Sequence, residues 1–274
     1  MVATSAGSQP HRSANLLDRL TAPSTLELHN EQLRLRERQV IQRHMPLRCG
    51  EVLSVGCGWN PGREMFPAPS FRLVAVDADP ARVAVVASCG RADEAHVGYA
   101  GRLEFPDASF DVALYRLVLH HLAYQGSLEP VFEEAARLLR PGGSLVAIEP
   151  GLWHPVGAAL ALANALKLST VIHGTPDDVP LSPRRLHEHA RLAGLSPQLH
   201  ALTYSWRRLP PPAQRLLQRL DGLGSRPLAA PLGHTLMLIA TKRPGGSLRV
   251  GSLPREREHR GDGSSPHGAE AASA

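Results

Sequence analysis

The chain has 274 residues, of which 43% are apolar and 20% charged, so collagen, a coiled coil and a wholly disordered chain are excluded. The formal net charge is +5, yet arginine supplies nearly all of the basic residues, as in proteins of GC-rich genomes. Since no basic run is interleaved with aromatic side chains, we expect no nucleic-acid partner.

The cysteines and the apolar segments bear on the compartment. Three cysteines without a CxxC spacing favour a reducing environment over a disulfide framework or a zinc site. The N-terminus lacks the basic and apolar regions of a signal peptide, and the most apolar later segment, 156–166, is about half as long as a membrane span. These features predict a cytoplasmic protein without a transmembrane segment.

Two N-terminal segments precede the first strand pattern. Residues 1–12 are small and polar, which predicts disorder. From Leu26 to Met45, apolar residues recur at helical spacing among Arg and Glu, which predicts an amphipathic helix. This helix would belong to a helical lid over residues 13–50.

From residue 51 onward, short apolar runs alternate with helical stretches. The predicted strands are 51–58, 71–77, 96–99, 110–116 and 142–150. Residues 61–66 are predicted to begin a helix, and two further predicted helices cover 79–89 and 129–140. Because parallel strands are joined by right-handed crossovers, this alternation predicts a parallel sheet with both faces covered.

The alternation stops after residue 150. Residues 151–233 form a predicted insert region, with an Ala-rich helix over 155–168, a polar loop and a helix over 183–194. The strand patterns at its end, 196–206 and 233–242, predict a final antiparallel pair.

The predicted fold class is therefore α/β. We expect a Rossmann-like, doubly wound, mostly parallel seven-stranded sheet with an antiparallel C-terminal strand, formed by residues 51–243. Residues 244–274 are rich in Gly, Ser and Pro and predict a disordered tail.

The motif that carries most chemical information is VLSVGCGWN, residues 52–60. Gly56 and Gly58 follow the first strand pattern, and Asp77 ends the second. Glycines let the backbone approach a ligand closely, and an acid about 20 residues further on can hold ribose hydroxyls, so the spacing indicates a nucleoside site. Pro61 stands where a dinucleotide-binding motif has its third glycine, which favours a ligand without phosphate.

Four segments in this order resemble the class I S-adenosylmethionine-dependent methyltransferases, especially the ubiquinone/menaquinone-type small-molecule branch. The resemblance covers about residues 51–150 and extends more loosely to 242. The segments are VLSVGCG (52–58), VAVDADP (74–80), GRLEFPDASFDVALYRLVLHHL (101–122) and AARLLRPGGSLVAIEP (135–150).

The resemblance implies S-adenosyl-L-methionine as cofactor and assigns residues to it. Asp77 would hold the ribose hydroxyls, Tyr115 to Leu117 would lie beside the sulfonium, and the loop after the first strand would pass under the methionine part. The remaining residues would line the adenine. The loop residues are Gly56, Cys57, Gly58 and Asn60, and the adenine residues are Ala78, Arg102 and Leu103.

Three positions depart from the family pattern. Ser54 replaces the usual acid of the first motif, which weakens contact with the amino group of the cofactor. Asn60 stands where a third glycine is common, and Tyr99 replaces an acid after the third strand, which a neighbouring backbone acceptor would offset. We still expect the cofactor to bind, since residues 51–150 carry a net charge of −5, which suits a cationic sulfonium.

Methyl transfer to a hydroxyl needs an aligned acceptor and a base. The candidates are His120 and His121 after the fourth strand and His154 after the fifth, because open α/β sites form at the carboxyl ends of strands. One residue of the histidine pair is expected to be structural.

The acidic and histidine residues of the insert also raise the question of a metal. No ligand spacing that binds metals is matched, so we predict no metal site. The residues considered were Glu149, His154, His173, Asp177 and Asp178. Tryptophans 59, 153 and 206 either floor an acceptor pocket or serve packing.

The sequence thus predicts a methyltransferase acting on a small-molecule acceptor, with oxygen in a partly apolar or glycosylated secondary metabolite as the favoured target. Two alternatives remain. A nicotinamide-dependent oxidoreductase shares the strand, turn and acid unit, but the chain lacks a YxxxK pair. A catalytically silent binding subunit is compatible with Ser54 and Asn60.

Overall fold

The computed structural model describes residues 22–168 and 179–244. The helices, in chain order, are α1 (Pro23–His44), α2 (Pro80–Ser88), α3 (Leu119–Gln125), α4 (Glu129–Leu138), α5 (Pro155–Ala165), α6 (Pro183–Leu192) and α7 (Pro211–Gln218). The strands are β1 (Gly50–Val55), β2 (Phe71–Asp77), β3 (Glu94–Val97), β4 (Phe110–Arg116), β5 (Leu139–Pro150), β6 (Leu195–Thr203) and β7 (Thr235–Lys242).

One seven-stranded sheet organises the described chain, in the order β3-β2-β1-β4-β5-β7-β6. The first five strands are parallel, β7 runs antiparallel to β5, and β6 runs antiparallel to β7. The predicted fold class and the final antiparallel pair are therefore confirmed. The strand order reverses between β1 and β4, and ligands of such sheets bind at the carboxyl ends of the strands beside this point.

Both faces of the sheet are covered by apolar layers, as the continuous apolar runs of parallel strands require. On one face, Val52, Leu114 and Ile148 pack with Val40 and Ile41 of α1. The other face packs against α4 and α6. Its buried residues include Leu53, Val76, Tyr115, Leu145, Phe132, Leu138, Leu186 and Ala190.

Helix α1 is part of this core over its C-terminal half. Val40, Ile41 and Met45 are buried against the sheet, so this half of the predicted lid segment is not separate from the domain. The N-terminal half reaches the carboxyl edge, where the His29 ring lies 6.3 Å from the His234 ring, centroid to centroid. Thr25 and His29 of this half are buried as well, and the lid role of residues 13–50 stays a prediction.

The structure differs from the predicted elements in several places. Residues 61–66 form turns, not a helix, because Gly62 has φ +88° and packs so closely that a Cβ there would meet the Leu114 side chain. The third strand lies two residues earlier than predicted, and α5 ends at Ala165. Helix α3 was not predicted, since only seven residues form it.

Some predictions fall outside the described residues. These are the disorder of 1–12, the polar loop with His173, Asp177 and Asp178, and the tail after residue 244. Within 22–168 and 179–244, no helix combines the length and the apolarity needed to cross a bilayer.

Candidate functional site

The loop after β1 brings the backbone close to a ligand position at the carboxyl edge. Gly56 has φ +62° and Gly58 has φ +53°, a left-handed conformation that favours glycine. A Cβ on Gly56 would collide with the Val118 side chain at the end of β4, whereas a Cβ on Gly58 would meet no atom within 4 Å. Gly58 therefore borders an open space that a side chain would fill.

Asp77 ends β2 beside this loop and is only 4% exposed. Its Oδ2 accepts the Gly58 N–H at 2.8 Å, and its Oδ1 accepts the Asp79 N–H at 3.0 Å. Oδ1 also faces the Arg82 guanidinium at 3.7 Å, and since each carboxylate oxygen has two acceptor positions, Asp77 keeps acceptor capacity for hydroxyl donors. The loop and the acid are thus held as one unit that fits the ribose of a nucleoside.

The predicted adenine residues divide by exposure. Ala78, next to Asp77, is exposed, and so are Arg102 and Tyr99, the latter by 72%. Leu103 is buried, and its N–H donates to Glu134 Oε1 at 2.6 Å. Leu103 therefore lies in the core and presents no surface to the adenine that was predicted to lie there.

Two residues of the glycine loop act on the loop itself. Cys57 packs in a small core cluster with Ala75 and Val86, and burial, together with the charge of Asp77, raises the pKa of its thiol to about 12. Asn60 is exposed, and its Oδ1 accepts the Gly62 N–H at 3.0 Å, which shapes the turn that follows. Their side chains fix the loop that a ligand would meet.

Tyr115 does not occupy its predicted place beside a sulfonium. Its side chain is completely buried in the core layer below the sheet, where its hydroxyl makes no hydrogen bond within the described chain. Alternation along β4 places Tyr115 with Ala113 on the sheet face that packs against α4 and α6, whereas Leu114 lies on the opposite face. We therefore remove Tyr115 from the candidate site.

Glu149, at the end of β5, joins the fifth strand to the segment after β4. Its Oε1 accepts the N–H groups of Val118 and Leu119 at 3.0 and 2.8 Å, and its Oε2 lies 2.6 Å from His120 Nδ1. Glu149 is completely buried and His120 is 5% exposed. Carboxylate oxygens accept, so His120 Nδ1 is the donor of this pair.

The His120 ring is thus oriented by a buried carboxylate through Nδ1, the arrangement of a carboxylate-oriented imidazole. The His121 ring lies against the His120 ring with 4.0 Å between centroids and an interplanar angle of 42°. The sequence pointed to both histidines but treated Glu149 as a metal candidate. The signal available for Glu149 was an acid ending a buried strand.

His154 has a different function from the predicted one. Its Nδ1 accepts the Val156 N–H at 3.2 Å as the N-cap of α5, and its Nε2 donates to the Tyr204 carbonyl at 3.2 Å. Burial also lowers the pKa of His154, which keeps the ring neutral. With both ring nitrogens engaged, His154 is a structural cap and no longer a candidate base.

The sequence reasoning missed an ion pair that ties α1 to the edge. Glu37, 2% exposed, accepts from Arg116 at 3.0 Å (Nη2) and 3.1 Å (Nε), and Arg116 ends β4. Glu37 lies four residues after Leu33 and three before Val40, on the apolar stripe of the helix. An acid on that stripe was the available signal.

A cavity of about 760 Å³ lies at the carboxyl end of β5. It is lined from α3, α5, α6 and the loops between them, mostly by apolar side chains. Among its described residues are Ala123, Leu128, Leu152, Ala161, Leu181 and Leu186. Its volume is in the range of small-molecule sites.

Within the described part of the chain, no three His, Cys, Asp or Glu residues are grouped so that they could hold a metal ion.

Sequence comparisons agree with this nucleoside-binding α/β architecture. A family model for a methyltransferase domain matches residues 53–147. The 27-O-demethylrifamycin SV methyltransferase of Amycolatopsis mediterranei is 32% identical over 194 residues, which are 67% of this chain and 67% of that protein. The chain belongs to the family of S-adenosylmethionine-dependent methyltransferases.

Other similarities are more partial. A protein of Mycolicibacterium smegmatis, named as a probable S-adenosylmethionine-dependent methyltransferase, is 34% identical over 48% of this chain and 51% of its own length. The chain spans about half the length of this and the mycobacterial relatives that follow it. A Thermotoga maritima methyltransferase structure matches 80% of this chain and 94% of its own, with TM-score 0.57 and 16% identity, and this likeness concerns the fold alone.

Proposed function

We propose that this chain transfers a methyl group from S-adenosylmethionine to an oxygen of a partly apolar small molecule. The observation that carries the proposal is the unit of Gly58 and Asp77, with an open space beside the glycine and a buried carboxylate beside the loop. We also propose that the chain belongs to the ubiquinone/menaquinone-type branch and has no nucleic-acid partner. A cytoplasmic location is part of the proposal too, and the free cysteines at 49, 57 and 89 are consistent with it.

The glycine loop and Asp77 would hold the cofactor. Backbone at Gly56 and Gly58 allows close approach, Asp77 accepts from the ribose hydroxyls, and exposed Ala78 and Arg102 border the adenine. When bound, S-adenosylmethionine supplies an electrophilic methyl group on a sulfonium. The acidic character of residues 51–150 favours that cationic ligand.

His120 is the proposed proton acceptor, with Glu149 as its positioning residue. Because His120 Nδ1 is hydrogen-bonded to Glu149, Nε2 is the ring nitrogen that would accept the proton of a hydroxyl as that oxygen is methylated. Glu149 also holds the Val118 and Leu119 N–H groups, so it fixes the whole segment that presents His120. His121, whose ring centroid lies 4.0 Å from that of His120, is the second candidate for the proton acceptor.

The acceptor class rests on the cavity near β5. Its apolar lining suits a partly apolar or glycosylated metabolite, and residues of the predicted insert, such as Leu152, Ala161 and Leu181, form much of it. A relative that is named for methylation of demethylated rifamycin supports an oxygen acceptor of secondary metabolism. The Glu37–Arg116 pair would hold α1 against β4 and help to exclude water from this side.

Calorimetry with S-adenosylmethionine, S-adenosylhomocysteine and NAD tests the cofactor. We expect both sulfur nucleosides to bind and Asp77→Ala to weaken them at least about tenfold, since a hydroxyl acceptor is lost. Asp79→Ala is the matched control, because Asp79 caps α2 through the Ala81 N–H and takes no part in the proposed ribose contact. Binding of NAD alone would favour the nicotinamide-dependent oxidoreductase.

Label transfer tests the reaction. The protein is incubated with methyl-labelled S-adenosylmethionine and an extract of its own organism, and labelled products are identified by mass spectrometry. A labelled small molecule methylated on oxygen is expected, and Asp77→Ala should abolish it. Cofactor binding without any labelled product would instead identify a silent binding subunit.

A further inference from the structure

A second concave site lies beside β6, the outermost strand on one side of the sheet. A groove of about 920 Å³ runs between α6, the outer side of β6 and the loop around Ser225 and Pro231. Strand β6 is three strands from β4, which corresponds to about 14 Å at the usual strand spacing. No residue of the glycine loop lines this groove, which shares Glu188 and Leu192 of α6 with the cavity near β5.

One wall of the groove carries two arginines that pair with no carboxylate of residues 22–168 and 179–244. Arg184 and Arg191 are exposed on α6, two helical turns or about 10 Å apart. The Arg184 guanidinium lies 5.2 Å from the Trp153 ring centroid, and in the described chain neither arginine forms an ion pair. Glu188 is the single acid among the described lining residues, so positive charge prevails on this wall.

The floor of the groove is polar but uncharged. The rings of His44 and His200 lie 4.1 Å apart between centroids at an interplanar angle of 37°, and Ser225 Oγ lies 3.1 Å from His200 Nδ1 and 3.3 Å from His44 Nε2. Burial lowers the pKa of His200 to about 4, and burial with the neighbouring Arg43 charge lowers that of His44. Near neutral pH this floor offers hydrogen-bonding groups without adding to the charge.

The edge of β6 in the groove is too short to pair with another strand. Pro197 has no N–H, and the Ala201 N–H is already taken by the Gly224 carbonyl at 2.8 Å. Because outward-facing residues alternate along an antiparallel ladder, Leu199 between them directs its N–H away from β7. This single backbone donor suits a small anion better than an added strand.

We propose that this groove binds a small organic anion with an apolar body. The charged end is attracted by Arg184 and Arg191, and the Leu199 N–H offers it a donor. The apolar body packs on Trp153, Leu192 and the prolines of the groove. Those prolines are Pro183, Pro197, Pro227 and Pro231.

Titration calorimetry with 4-phenylbutyrate and its neutral analogue 4-phenylbutan-1-ol tests the charge requirement. We expect the carboxylate to bind at least about tenfold more tightly than the alcohol. The double substitution Arg184→Gln, Arg191→Gln should weaken the carboxylate at least about tenfold and leave the alcohol unchanged. Equal affinity for both probes, or no binding of the carboxylate at about 10 mM, would overturn the proposal.

Arg185→Gln is the matched control. Arg185 lies on the same helix and is also exposed, but it lines the other cavity. We expect this variant to bind the carboxylate like the unmodified chain, and a loss equal to that of the double variant would contradict the assignment. The same titration on Asp77→Ala separates this proposal from the cofactor site, since the groove should keep its affinity when S-adenosylmethionine no longer binds.

Discussion

Glu149 Oε2 lies 2.6 Å from His120 Nδ1, and the same carboxylate accepts the N–H groups of Val118 and Leu119. The end of β5 thereby orients the residue that follows β4, across a sheet whose neighbouring strands are paired from Phe110 to Arg116. A buried carboxylate in this position both stabilises α3 and sets the tautomer of His120.

Replacement of Glu149 by glutamine should separate these two effects. Glu149→Gln keeps the shape but loses charge-assisted hydrogen bonds, so we expect about 2 kcal/mol less stability in urea unfolding and a label-transfer rate at least about tenfold lower at saturating cofactor. Glu134→Gln is the control, because Glu134 also accepts a backbone N–H, that of Leu103. It should lower stability while the rate at saturating cofactor stays within about threefold; a matching rate loss would remove the orienting role of Glu149.

A pair of glycine variants tests the open space beside the loop. Gly58 and Gly90 have φ +53° and +59°, and neither would place a Cβ within 4 Å of another atom. Alanine at either position should therefore cost about 1 kcal/mol of unfolding free energy through backbone strain. Only Gly58→Ala should also weaken S-adenosylmethionine, as measured by calorimetry, because its methyl group enters the proposed ligand space. Equal cofactor affinity of the two variants would contradict the placement of the site.

The N-cap role of His154 predicts a loss of stability without a loss of chemistry. His154→Ala leaves the Val156 N–H without its side-chain partner, and we expect about 1 kcal/mol lower stability in thermal or urea unfolding. The label-transfer rate should stay within about threefold of the unmodified chain, whereas His120→Ala should lower it at least about a hundredfold. A large rate loss in His154→Ala would restore it as a base.

Asp221 gives a prediction for pH. Burial raises the pKa of this carboxyl to about 6, against hydrogen bonds from Tyr204 and Thr203 that favour the ionised form. The folded state prefers the protonated form of Asp221. The stability that this preference contributes is complete below pH 4 and is lost as pH rises to about 6. The free energy of unfolding of Asp221→Asn should therefore exceed that of the unmodified chain by up to about 3 kcal/mol at pH 8 and by little at pH 4, as measured by urea unfolding. An equal difference at both pH values would contradict the buried acid.

The elements with strong local signals were predictable. Alternating apolar runs placed β1, β2, β4, β5 and the final strand pair close to their observed positions, because the strands are buried on both faces and carry continuous apolar residues. The loop of Gly56 and Gly58 and the acid Asp77 were visible for a similar reason: left-handed backbone and a strand-ending carboxylate restrict which residues can stand there. That the cofactor binds at these residues stays a prediction.

The partners of individual side chains were not visible in the same way. Whether His154 is a base or a cap depends on Val156 and Tyr204, and Tyr204 is fifty residues away in the chain. Likewise, Tyr115 proved to be buried below the sheet, because the pleat, not the neighbouring motif, sets the direction of its side chain.

Local residue types and their spacing therefore sufficed for the α/β class, the glycine loop and the strand-ending acid, since period and backbone conformation are local properties. The pairing of Glu149 with His120, of Glu37 with Arg116, and the groove beside β6 came only with the packed sheet. Each of them joins groups from distant segments, and the crossovers that bring those segments together carry no signal in the neighbouring residues.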